Sequence, residues 1–178
     1  DIAMLQYNMW REGSHFGWDR LSPYEERKPY LGWYTEGSTE VADWDIKWLK
    51  EHGFDYQVFV YAGVQQKAAA PIKRAARADA LIDGFLNSKY DMDFAIMWSR
   101  LSEETLKGYD NFVENVVPYW VERFFRNPRY KTIDNKPLLF TYNTALVAER
   151  LGGVDKLKEA IKVLDDECKK IGYDGIMF

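Results

Sequence analysis

Four short stretches of the chain carry an aromatic ring, and three of them set a hydrogen-bonding side chain beside it: Tyr7-Asn8-Met9-Trp10, Tyr61, Trp98-Ser99-Arg100 and Tyr142-Asn143. An aromatic face stacks on the C–H face of a sugar ring, and an adjacent amide, hydroxyl or guanidinium bonds the hydroxyls at the rim. Tyr7, Asn8, Trp10, Tyr61, Trp98, Arg100, Tyr142 and Asn143 are therefore the expected substrate-binding residues for a carbohydrate ligand. Hydrolysis of a glycoside would also require two carboxylates, one as acid and one as base or nucleophile. Glu12, Asp19 and Glu36 are loop residues able to approach the first stretch, but among 28 acidic residues a few near any site are expected by chance, and solvated surface is their ordinary place. The catalytic residues stay unassigned.

Other chemistries find little support. The chain has no G-x-G-x-x-G after a strand, no G-x-x-x-x-G-K-[ST], no H-E-x-x-H and no G-x-S-x-G, which argues against nucleotide, zinc-protease and serine-hydrolase sites. Its two histidines are His15, in the Gly-rich stretch Gly13-Ser14-His15-Phe16-Gly17-Trp18, and His52, at a helix end where the dipole accounts for it. No metal and no cofactor are expected. The formal net charge of -4, without a Lys/Arg cluster, argues against nucleic acid. No apolar run is long enough to span a membrane. The single cysteine, Cys168, excludes a disulfide framework and leaves the compartment open; nothing in the sequence sets an oligomeric state.

The elements that position the aromatic stretches repeat one grammar. Ser38 or Thr39 caps a helix whose apolar face holds Val41, Ala42, Trp44, Ile46, Trp48 and Leu49, ending at His52-Gly53. Phe54-Asp55 then leads into an apolar strand from Tyr56 to Tyr61. A later helix with Val154, Leu157, Ile161, Leu164, Cys168 and Ile171 on one face ends at Gly172, and Tyr173-Asp174 leads into another strand. Between them an Ala-rich helix over 68–87 precedes the strand Phe94–Trp98. A helix over 111–126, with Pro118 predicting a kink or break near Val117, precedes the strand Pro137–Tyr142. With Ile2–Tyr7, five apolar strands alternate with helices, the pattern of a parallel sheet covered by helices. An open doubly wound sheet and a (β/α)8 barrel both fit. Strands at both chain ends favour an α/β single domain over residues 1–178 that comprises about the first five βα units of a (β/α)8 TIM barrel, cut at the C-terminal side.

Several segments resemble one family. Lys28-Pro29-Tyr30-Leu31-Gly32-Trp33-Tyr34, then Glu40-Val41, Asp45-Ile46-Lys47-Trp48 and Gly53-Phe54-Asp55, resemble the opening of the glycoside hydrolase family 99-like domains. Phe94-Ala95-Ile96-Met97-Trp98, Asn115-Val116 with Tyr119-Trp120, Pro128-Arg129-Tyr130, Asn135-Lys136-Pro137-Leu138 and Gly172-Tyr173-Asp174-Gly175 follow in the same order. That group includes endo-α-mannosidases and WbsX-type glycosyltransferase-like proteins. The resemblance implies a (β/α)8 barrel acting on glycans, and for the endomannosidases retaining hydrolysis without a metal, a carboxylate acting through the sugar 2-hydroxyl. It also implies that a Glu pair lies on a later strand end, beyond Phe178, because no Glu-x-x-Glu in such a context occurs here and Glu103, Glu104 and Glu114 fall on or near helices. The first strand departs, carrying Gln6-Tyr7-Asn8-Met9-Trp10 where many relatives have an aromatic-Pro-Gly stretch. The expected function is thus a glycoside hydrolase-like domain acting on glycans, α-mannosides among them, with this 178-residue chain inactive by itself. The alternative is a non-catalytic carbohydrate-binding or interaction module.

Overall fold

A computed structural model of the protein describes residues 1–7, 10, 18–61, 73–99 and 108–178, with residues 73–78 described by backbone alone. In chain order its elements are β1 (Ala3–Gln6), α1 (Thr39–Glu51), β2 (Tyr56–Tyr61), α2 (Lys73–Leu86) and β3 (Asp93–Trp98). A helical run follows in which α3 (Gly108–Asn111) and α4 (Val117–Trp120) alternate with wider π turns at Phe112–Val116 and Val121–Phe125. Then come β4 (Thr132–Ile133), β5 (Lys136–Pro137), β6 (Leu139–Thr141), α5 (Thr144–Leu151) and α6 (Val154–Lys170).

Four strands pair in parallel in the order β1-β2-β3-β6, each separated from the next by helix. A fifth begins at Met177, which bridges Leu138 in the same parallel sense. This is a partial α/β sheet of parallel strands and alternating helices, the arrangement of a partial (β/α) barrel. The strands are those the apolar runs predict. They are buried on both faces because helices cover one side and the sheet curves over the other residues of the strands.

The repeated Gly-aromatic-Asp joint does the same work twice. Gly53 and Gly172 take φ of 80° and 99°, a left-handed turn that glycine adopts without a Cβ clash. The next amide, Phe54 N–H in one joint and Tyr173 N–H in the other, donates back to Leu49 O and Cys168 O. The aspartate then ties the new strand to its neighbour: Asp55 accepts from Ile2 N–H at 2.6 Å, and Asp174 from the Asn135 amide at 3.1 Å.

Three expectations change. Pro118 does not break its helix. The Val117 N–H donates to Phe112 O, five residues back, and this wider turn lets the run pass the residue that has no N–H. Asp134 and Asn135, at φ of 49° and 53°, form the tight turn of a small antiparallel hairpin, β4-β5, ahead of the fourth sheet strand. A separate helix, α5, stands before α6, whose buried stripe is Leu157, Ala160, Leu164 and Cys168, while Val154 is exposed at its start.

Candidate functional site

Parallel α/β folds bind ligands at the C-terminal ends of their strands, where the connecting segments leave the sheet. Backbone bonds from Ser99 N–H to Tyr61 O at 3.0 Å and from Tyr142 N–H to Trp98 O at 3.1 Å set three of the aromatic strand ends side by side. Their side chains divide by the two-residue alternation of a strand. Tyr61 and Trp98 are register partners on the face that meets the helices. Trp98 is 1 % exposed, stacked on Phe112 at 4.8 Å and edge-on to Trp120 at 5.1 Å. Tyr61 packs on Phe124 at 5.0 Å, and its hydroxyl reaches the Asp79 carboxylate of α2 at 3.2 Å. Tyr119 donates to the same carboxylate at 2.7 Å, with Arg123 Nε 3.8 Å away. Burial raises Asp79, against the hydrogen bond from Tyr119. These four groups bolt α2 to the helical run. Tyr61 and Trp98 are therefore core residues in this structure, a correction to their expected place at the mouth.

The other face, at the same end, carries the remaining aromatics. Alternation past Gln6 and Thr141 puts Tyr7 and Tyr142 on the side of Val60, Met97 and Phe140, away from the helices. Tyr142 is 75 % exposed, and Tyr7 is half-buried. Asn143 has a structural task that its sequence position hides: its side chain caps α5, accepting from Leu146 N–H at 3.0 Å. Asn8 and Arg100 lie outside the described residues, as do Glu12 and His15.

Trp10 stands at the head of an aromatic cluster that the strand-end pattern does not reveal. Trp18, buried, lies 4.5 Å from Trp10, 5.4 Å from Trp33 and 4.9 Å from Tyr34, and its indole N–H donates to Tyr34 O. Glu36 clamps Trp10 through its backbone: Trp10 N–H donates to the Glu36 carboxylate at 3.0 Å, and Glu36 N–H to Trp10 O at 2.8 Å. The only sequence signal for the cluster is the density of Trp and Tyr over residues 30–34. Glu36 is thus a buried structural carboxylate, while Asp19 is exposed.

Behind this cluster, between α1 and the sheet, lies a cavity of about 10 Å³, the space of one water. Tyr34, Glu36, Asp45, Gln6 and Gln57 face it. Gln57 is 2 % exposed and donates to Gln6 Oε1 at 3.3 Å. Burial pushes the Asp45 carboxyl up to about 6, and burial together with the charges of Asp45 and Glu36 pushes Tyr34 up to about 12. This nook is on the helix side of the sheet, so its carboxyls do not face the mouth. The Cys168 thiol, buried and pushed up to about 12, is packing and not a nucleophile. His52 closes α1, its ring Nδ1 2.7 Å from Trp48 O. Among the described residues no three His, Cys, Asp or Glu side chains converge as metal ligands, and no helix is long and apolar enough to cross a membrane.

The fold has known counterparts. Two solved structures of the GH99 endo-alpha-mannosidase from Bacteroides thetaiotaomicron, one in complex with bis-tris-propane, superpose on 82 % of the chain with TM-scores of 0.53 and 0.56 at 15 % identity. A structure described as a glycoside hydrolase-like protein superposes on 85 % with a TM-score of 0.54 at 13 % identity. The likeness is one of fold. The chain spans 42 to 46 % of the length of these structures, under half of each. No family model matches the sequence, and no curated protein does.

Proposed function

We propose that this chain is the N-terminal part of a carbohydrate-active, glycoside hydrolase-like (β/α)8 barrel and forms one wall of its glycan-binding mouth, with α-mannosides as the substrate class. The observation that carries this reading is the fold likeness to the GH99 endo-alpha-mannosidase structures over 82 % of the chain. The aromatic side chains on the mouth side of the strand ends, Tyr7 and Tyr142, support it, as does the Trp10 cluster beside them. Stacking from these rings would hold a sugar, with Asn8 and Arg100 as hydrogen-bonding neighbours. The acid and base belong, on this reading, to strands that complete the barrel. A binding module without catalysis is favoured by one observation: the described carboxylates Glu36 and Asp45 are occupied in the wall, and neither pairs with another acid at the mouth.

Calorimetry with α-1,6-mannotetraose and reducing-sugar release from yeast α-mannan test both readings. Binding is expected, weakened about fivefold or more by Tyr142→Ala with stability unchanged, while Trp98→Ala costs about 3–5 kcal/mol of stability. No sugar release by these 178 residues is expected. Release would place the acid pair within them, and absence of any saccharide binding would overturn the carbohydrate reading.

A further inference from the structure

Trp44 is out of place as a core residue. It belongs by spacing to the apolar face of α1, yet it is 42 % exposed, beside Trp48 at 5.2 Å, and Tyr30 lies exposed beyond Trp48 at 6.3 Å. Large indole surface left in water on a helix marks a place where something else binds more often than it marks slack packing. Trp44 also lines an open groove of about 230 Å³ with Glu40, Asp43 and Lys47 of α1 and with Lys89 and Tyr90 from the segment between α2 and β3.

The groove is built in advance. The Asp43 carboxylate accepts from Ser88 Oγ at 2.7 Å and from Lys89 N–H at 3.0 Å, and it holds Lys89 Nζ at 3.4 Å, so the Tyr90 side of the groove is fixed against α1. Lys47 is held by Glu51 at 2.6 Å, with its ammonium 5.6 Å from the Trp44 ring. Lys89 stands 5.2 Å from the Tyr90 ring. Each aromatic ring therefore has donors beside it, and the carboxylates of Glu40 and Asp43 supply acceptors. Two acids against two lysines leave no net formal charge in the lining. An anion meets the carboxylates and a cation meets the lysines, so the lining fits a neutral ligand with a flat apolar face and a rim of hydroxyls. The space is below that of a drug-sized pocket and suits a sugar ring at a time.

We propose that this groove is a second saccharide-binding site, on the outer wall of the barrel, taking neutral hexose units of a glycan chain by stacking on Trp44 and Tyr90. The inference rests on the carbohydrate-active reading and extends it, since the groove opens beside the segment that enters the N-terminal end of β3, the end opposite the mouth. The aromatic row Trp44, Trp48 and Tyr30 continues from it along the wall, a track for a chain longer than one unit. Such a site would hold a polymer on the protein surface while the mouth engages another part of it.

Native gels cast with and without yeast α-mannan test this directly. The protein is expected to be retarded by mannan, and retardation is expected to persist in Tyr142→Ala, where mouth binding is weakened. Trp44→Ala in that background should weaken the apparent affinity by about fivefold or more. Lys47→Ala should weaken it by about two- to threefold; it removes only an exposed ion pair and so leaves the fold intact. Retardation unchanged by both Trp44→Ala and Lys47→Ala overturns the outer site and leaves the carbohydrate reading standing. A wild-type protein that migrates freely in mannan overturns both.

Discussion

Burial between α1 and the sheet raises the Asp45 carboxyl from 3.8 to about 6, and that shift is a statement about stability. The folded protein binds this proton more tightly than the unfolded chain does. Stability from this group is present in full below about pH 4, is lost as pH rises through about 6, and stays lost above it. The full shift corresponds to about 3 kcal/mol, and solvent reaching the partly open nook reduces it to about 1–2 kcal/mol. Asp45→Asn is therefore expected to be more stable than the wild type by about 1–2 kcal/mol at pH 7.5 and equal to it near pH 3.5, read from urea unfolding at the two pH values. An equal midpoint at pH 7.5 would show that Asp45 is not held in a low-dielectric site. Glu36 behaves differently, because its carboxylate receives the Trp10 amide; the same residue type a few positions away anchors the aromatic cluster.

At the scale of elements, the approach of α2 to the segment before α1 is set by two glycines. A Cβ on Gly84 would overlap the Gly37 carbonyl, and one on Gly37 would lie 2.9 Å from Ala80 O, so backbone meets backbone with no side chain able to yield. In an isolated helix Gly→Ala stabilises by about 1 kcal/mol. Here Gly84→Ala is expected to destabilise by about 2 kcal/mol or more in thermal or urea unfolding, because α2 must move off the segment that carries Glu36 and caps α1. A neutral or stabilising result would mean that α2 shifts freely. The neighbouring contact explains why: the hydroxyls of Tyr61 and Tyr119 and the Arg123 guanidinium all converge on Asp79 of α2, so a displaced helix strands a buried carboxylate.

For the whole molecule the decisive feature is the edge of the sheet. β1 pairs only with β2, and its Leu5 is 50 % exposed on the face away from the helices. An edge strand with exposed apolar side chains templates further strand pairing. Sedimentation velocity of the 178-residue chain is expected to show association that grows with concentration, and Leu5→Lys is expected to suppress it without lowering stability. Association that is unaffected by the lysine would locate the contact elsewhere.

Local chemistry made much of this legible. The Gly53-Phe54-Asp55 and Gly172-Tyr173-Asp174 joints, the Ser38 cap and the continuous apolar strands are determined by residues close in sequence, and they suffice to identify parallel strands alternating with helices. The turn at Asp134-Asn135 and the Asn143 cap were equally local, but both sit beside stronger strand signals that masked them. What the sequence by itself did not determine is phase. β2 is buried at all six positions, so no polar alternation distinguishes its helix side from its mouth side. Tyr61 and Trp98 therefore read as mouth residues until tertiary packing set them against Phe124, Phe112 and Trp120. Trp44 is the converse case: helical spacing assigns it to the core, and only the placement of Ser88, Lys89 and Tyr90 against Asp43 decided that its ring lines an open groove. Both outcomes depend on contacts between segments far apart in the chain, and those energies appear only when the helices are already packed on the sheet.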